Sequence, residues 1–144
     1  MSKINVALSL FVEHGRLKDA ADFYVAAFDA KSIQSHSHEG QIMAVDLQLG
    51  TLNVSVVGAN PKRQANPSLG GPFHPQAAGA VSASLRLTVD DLNAVFAKAV
   101  AAGATVRDEI GLDDRGSRSA SLFDPFGHLW GLSQRESEDE QLAA

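Results

Sequence analysis

The chain has 144 residues, 44% of them apolar, with 12 Lys and Arg against 17 Asp and Glu, a formal charge of −5. That length suits one domain or two small modules sharing a core, burying roughly two-thirds of the surface of the extended chain. The acidic balance argues against a sequence-independent nucleic-acid binder and against docking on an anionic membrane. The lack of cysteine removes disulfide scaffolds, thiolate metal sites and thiol nucleophiles.

Residues 4–12 are mostly apolar with polar interruptions and read as a strand, not as a secretory segment, because Asn5 and Ser9 break the run and no small-residue cleavage site follows. No run approaches the ~18 apolar residues of a membrane span, so a soluble, cytoplasmic protein is expected. From Leu17 the period changes: Leu17, Ala20, Ala21, Tyr24, Ala27 and Phe28 make a helical stripe, with Lys18 and Asp22 off it. Residues 30–36, 42–49 and 51–57 read as three strands linked through Glu39-Gly40 and Gly50-Thr51. Residues 58–79 hold Pro61, Pro67, Pro72 and Pro75 and read as a bridge between modules, or as a flap with Phe73 and His74 as lid residues.

The second half repeats the order. Residues 80–89 form a strand, and Leu92, Val95, Phe96, Ala99 and Val100 form a helical stripe that begins at the carboxylates Asp90-Asp91 and ends at Gly103. Strands follow at 104–110, 117–123 and 128–133. The predicted fold is α+β: two tandem βαβββ modules at 1–57 and 80–134, an inter-module loop at 58–79, and a frayed acidic tail at 135–144.

Asp124-Pro125-Phe126-Gly127 has the composition of a type I turn, followed by His128-Leu129-Trp130. With that string, Ala20-Ala21-Asp22-Phe23-Tyr24 and the run from Val95 to Ala104, the chain resembles the vicinal oxygen chelate superfamily of glyoxalase I, extradiol dioxygenases and bleomycin-resistance proteins. Within it the chain is most similar to the PhnB-like branch, and Arg118 matches an arginine that branch carries shortly before the turn. The resemblance implies modules curled into half-barrels around a cavity, a homodimer, and in metal-using members four His, Glu or Gln ligands on the first and last strands of each module. Such an ion chelates adjacent substrate oxygens and stabilises a developing oxyanion. Carried onto this chain, those positions fall at Ala7, Val54, Ser84 and Gly131, none of which is a strong ligand. The expectation is therefore a protein with no metal or other cofactor that binds a small organic molecule, and neither nucleic acid nor membrane.

Strand alternation points Asn5, Ala7, Ser9 and Phe11, then Ser82, Ser84, Arg86 and Thr88, then Leu129, Gly131 and Ser133 toward the cavity, with Trp130 and Leu132 opposite. The ligand-binding candidates are Phe11, Asn53, Ser84, Arg86 and Arg118, a set suited to oxygen acceptors or negative charge. Alternatively, the arginines snorkel outward or pair at a dimer interface. A second function is a metal-dependent lyase, isomerase or dioxygenase with displaced ligands around His36, His38 and His74. His36 and His38, two apart beside Glu39, are expected on one face. His14 is expected in an exposed turn, His128 in a structural role, and Asp113-Asp114 in a turn near Arg115 and Arg118. No catalytic residue is assigned, since no Gly-x-Ser-x-Gly elbow is present and Gly70-Gly71 lacks the lysine of a phosphate loop.

Overall fold

In the computed structural model, which describes residues 3–136, Leu17, Ala20, Ala21, Tyr24 and Ala27 are all buried along one side of helix α1 (Leu17–Phe28). The helix lies on a sheet of β1 (Leu8–Val12), β2 (Lys31–His38), β3 (Gln41–Leu49) and β4 (Leu52–Gly58), ordered β1-β4-β3-β2. β1 and β4 are parallel; the other neighbours are antiparallel. Leu10, Val12, Leu47, Leu49, Val54 and Val56 form the buried face of this sheet, against the helix. Period 2 then sends Ser9, Phe11, Asp46, Asn53 and Ser55 to the other face, which carries no helix.

After a short helix α2 (Pro61–Ala65) and a 3-10 turn (Pro67–Leu69), the pattern repeats with β5 (Leu85–Val89), α3 (Leu92–Ala102), β6 (Thr105–Leu112), β7 (Arg118–Phe123) and β8 (Leu129–Gln134), ordered β5-β8-β7-β6. The fold is thus α+β, two tandem βαβββ modules. The chain divides into two compact units, Met1–Gln76 and Ala77–Ala144, each with its own sheet. In the second, Leu92 and Ala99 from α3 are buried with Ala120, Leu122, Trp130 and Leu132 from the sheet. Among the described residues no helix is long and apolar enough to cross a membrane.

Capping agrees with the charge pattern. Asp91 accepts the Ala94 N–H at the start of α3, and the Gly103 N–H bonds back to Ala99 and Val100 at a φ of 123° that suits glycine. The amide of Gln134, on β8, accepts the Leu92 N–H at 3.0 Å, so a strand side chain satisfies a second free amide of the helix.

The Asp124 turn is held by its first side chain. Oδ1 accepts the Phe126 and His128 N–H groups, each at 2.9 Å, and Oδ2 accepts the Trp130 indole N–H at 2.9 Å. Asp124 is 4% exposed and Trp130 1%, so the hydrogen bonds are made out of water, where a lost partner is costly.

Three boundaries differ from the sequence expectation. The first strand starts at Leu8, not residue 4: β4 begins at Leu52, leaving residues 4 and 5 without a neighbour, and Ile4 and Val6 are 87% and 73% exposed. The fifth strand starts at Leu85, not residue 80, because the Gly79 N–H bonds to the Gly127 carbonyl and the Val81 N–H to Gly79, turning the chain before it meets β8. Residues 58–76 belong to the first compact unit and contain α2, with the His74 N–H bonded to Gln64. Of the acidic tail, Arg135 is anchored: its N–H bonds to Val89 and its guanidinium to Asp90 and the Thr88 carbonyl. Residues 137–144 lie outside the described residues.

Asp124→Ala should lower stability by about 3 kcal/mol, since it strands two amides and an indole in the core. Trp130→Phe, which leaves the amides satisfied, should cost less. Urea denaturation of both variants checks the order.

Candidate functional site

Directly opposed residues on neighbouring strands share a face, so the registers define rows across each helix-free face. In the first unit one row runs Ser9, Ser55, Asp46, Gln34, and the next runs Phe11, Val57, Ala44, His36. Asp46 joins them. It accepts His36 Nε2 at 2.7 Å and Gln34 Nε2 at 3.1 Å. Hydrogen bonds from His36 above all, then Gln34 and Ser55, hold its carboxyl below the usual aspartate value.

In the second unit the corresponding rows are Arg86, Gly131, Ser121, Asp108 and Thr88, Ser133, Ser119, Gly111. The Ser121 hydroxyl donates to Asp108, whose other partner is Arg107 at 2.7 Å. The Ser121 hydrogen bond is the main reason that the Asp108 carboxyl is lowered. Each helix-free face therefore carries one carboxylate bonded by a serine one strand away.

Arg86 behaves differently. It makes no hydrogen bond or ion pair among the described residues. Its stem runs over Gly131, where a Cβ would sit 3.5 Å from Arg86 Cγ. Its charge reaches Asp113, whose carboxyl is lowered chiefly by the Ser117 and Arg115 N–H groups of its own turn. The face thus offers an arginine whose stem covers a glycine, with the hydroxyls of Thr88, Ser119 and Ser133 in the neighbouring row.

Of the five ligand-binding candidates, Phe11 and Asn53 share the helix-free face of the first sheet, and Arg86 stands on that of the second. Ser84 precedes β5 as exposed coil, a consequence of the turn at Gly79. Arg118 is on the opposite face from Arg86: it shares the parity of the buried Ala120 and Leu122, and its guanidinium donates to Asn93 of α3 at 2.8 Å. The two arginines do not form one site.

The positions expected for metal ligands are also re-sorted. Val54 is buried on the helix side, so Ser55 is the residue whose place in β4 matches Gly131 in β8. Ala7 and Ser84 lie outside the strands. On the helix-free side of the first unit the paired residues Ser9 and Ser55 offer two hydroxyls, and on that of the second the pair Arg86 and Gly131 offers a cation and no side chain. Neither donor set fits a divalent ion. The displaced-ligand alternative fares no better. A register shift between His36 and Ser37 pairs His36 with Ala44 but His38 with Gln41, so the bulge turns them to opposite faces. His38 instead lies 3.8 Å from Glu39. His74 lines a separate recess with Glu13 and His14. Among the described residues no three His, Asp or Glu side chains converge to hold a metal. His128 is buried within the Asp124 turn.

The missed features are the Asp46 and Asp108 networks. Asp46 is the one carboxylate in the mostly apolar β3, and Asp108 stands between Arg107 and Glu109 on β6, but strand registers are needed to place Ser55 and Ser121 beside them. A carboxyl with a lowered pKa stabilises the fold above its unfolded pKa and loses that contribution as the pH falls through the folded value. Asp46→Asn should therefore be less stable than the parent at neutral pH, with the gap closing as the pH drops below the ordinary value of 3.8. Urea titrations across pH 2.5–7 measure it, and a gap independent of pH would contradict the assignment.

Residues 8–132 match the model of the glyoxalase/bleomycin resistance protein/dioxygenase superfamily. An uncharacterized protein of Mycobacterium bovis is 33% identical over 130 residues, covering 87% of this chain and 82% of that one. Among solved structures, a gene product of Arabidopsis thaliana is 25% identical with a TM-score of 0.70, covering 92% of this chain and 99% of its own. A variant of the fosfomycin resistance protein FosX of Listeria monocytogenes, complexed with Mn(II) and a dihydroxypropylphosphonic acid, shares the fold at 15% identity and a TM-score of 0.65, covering 99% of this chain and 97% of that one. The chain belongs to the glyoxalase/bleomycin resistance protein/dioxygenase superfamily.

Proposed function

We propose that this protein binds a small organic molecule bearing oxygen acceptors or negative charge on a helix-free sheet face, and that it does so without a divalent ion. The observation that carries the reading is Arg86 lying over Gly131. A metal-using superfamily member would need a cation ligand on each of the two paired strands here, and this chain pairs an arginine with a residue that has no side chain. A fixed cation repels a divalent ion but supplies what the ion would supply to an oxyanion, charge and directional donors. Thr88, Ser119 and Ser133 form the neighbouring row of hydroxyls, and a ligand's apolar part would find Leu129, which shares the parity of Gly131 on β8. The FosX variant was solved with Mn(II) and a dihydroxypropylphosphonic acid; on the reading proposed for the present chain, Arg86 would meet a ligand's anionic group without an ion.

The motif strings support placement in the PhnB-like branch, and the superfamily resemblance supports a cytoplasmic homodimer. Both belong to the same proposal.

A thermal-shift screen with benzoate, phenylphosphonate and benzylamine tests it. The two anions should raise the melting temperature through mass action, and the amine should not. Arg86→Met should weaken anion binding by roughly 10- to 100-fold, the worth of one to two charge-assisted hydrogen bonds. Metal analysis of the purified protein is the opposing measurement: stoichiometric manganese, iron or zinc that survives dialysis would overturn the reading.

A further inference from the structure

The first unit carries a second concavity, on the side of the sheet away from the rows described above. Helix α1 packs mainly on β3 and β4 and touches β2 less, leaving β2 exposed along its length, and a groove of about 900 Å³ runs along that margin. The small Ala21 on the helix and Met43, Val45 and Leu47 on β3 make its walls. Ser32 and Ser35 face the same way, because they pair with Leu47 and Val45. Val25 is 42% exposed, Met43 47% and Ile42 51%, so three large apolar side chains meet water around one concave surface. The size falls within that of pockets for small organic ligands, and burying such a surface is worth roughly 25 cal/mol per Å².

Charge distinguishes one end of the groove. The β1–α1 turn and the segment after β4 are tied together there by the Ala59 N–H bond to the Val12 carbonyl at 2.8 Å. They contribute His14 and Lys62 to the lining, and neither side chain has a hydrogen-bond or ion-pair partner among the described residues. The other two charged residues of the groove, Lys18 and Asp22, neutralise each other at 2.9 Å. An apolar channel that ends in an uncompensated ammonium and an imidazole complements an amphiphile with an apolar body and an anionic head.

We propose that this groove is a binding site for a free aliphatic carboxylate of medium chain length, its chain between α1 and β3 and its carboxylate at Lys62 and His14. The site is independent of Arg86 and of the helix-free faces.

Dodecanoate, 1-dodecanol and dodecyltrimethylammonium, titrated below their micellar concentrations and followed by calorimetry, test it. Dodecanoate should bind one per chain, at least tenfold more tightly than the ammonium. Lys62→Glu should weaken dodecanoate about tenfold while leaving dodecanol unchanged, and Val25→Asp, at an exposed helix position that folding tolerates, should abolish both. Equal affinity for all three head groups, or undiminished binding by Val25→Asp, would overturn the proposal. So would loss of dodecanoate binding in Arg86→Met, which would place the ligand on the helix-free face. If Val25→Asp instead converts a dimer to a monomer and dodecanoate does not bind, the groove is a self-association face and the proposal fails.

Discussion

The hydrogen-bonded carboxylate of Asp124 is the constraint on which the second unit depends. A turn that enters a central strand must fix the first residue of that strand, because a slip of one would exchange its two faces. Asp124 does so with one side chain: it holds the Phe126 and His128 amides and, two residues into β8, the indole of Trp130. With Trp130 committed to the core, Leu132 follows it there, and Gly131 and Ser133 are left for the other side. The chemistry of the helix-free face is therefore decided by a group that does not belong to it.

A comparable division of labour runs along one edge of each sheet. β2 and β6 are edge strands, and each carries register shifts against its neighbour. Bulges disrupt the row of free amides and carbonyls that would invite another strand. In β2 the same irregularity separates His36 from His38, delivering one to Asp46 and the other to Glu39. A device that protects an edge has also decided which histidine joins a network.

Much of the fold was legible because hydrophobic period and turn chemistry are local. The stripes of α1 and α3, the hairpin glycines, the Asp91 cap and the Asp124 turn all appear within about ten residues of sequence. The face taken by a candidate residue was legible only where alternation held without interruption, as for Phe11, Asn53 and Arg86. Placement failed at Ser84, where a distant hydrogen bond from Gly79 to Gly127 shortened the strand, and at Val54, where the counting was one residue out of phase. Arg118 shares a face with Ala120 by alternation alone, but that this is the buried face follows from the pairing of Ala120 with Leu132 on β8. The Gln134 contact with α3 spans 42 residues and leaves no local mark.

The packing of Arg86 on Gly131 makes the two positions interdependent. A glutamate placed at 131 alone would meet the arginine stem and then its guanidinium, forming an internal ion pair rather than a metal ligand. Removing Arg86 alone would leave a glycine and hydroxyls, still without a carboxylate. Neither single change moves this chain toward a metal-binding site, so the effects of the pair cannot be summed from its parts. The chemical character of the face is therefore protected by epistasis: a metal-binding pair on these two strands would take at least two substitutions, neither of which supplies it alone.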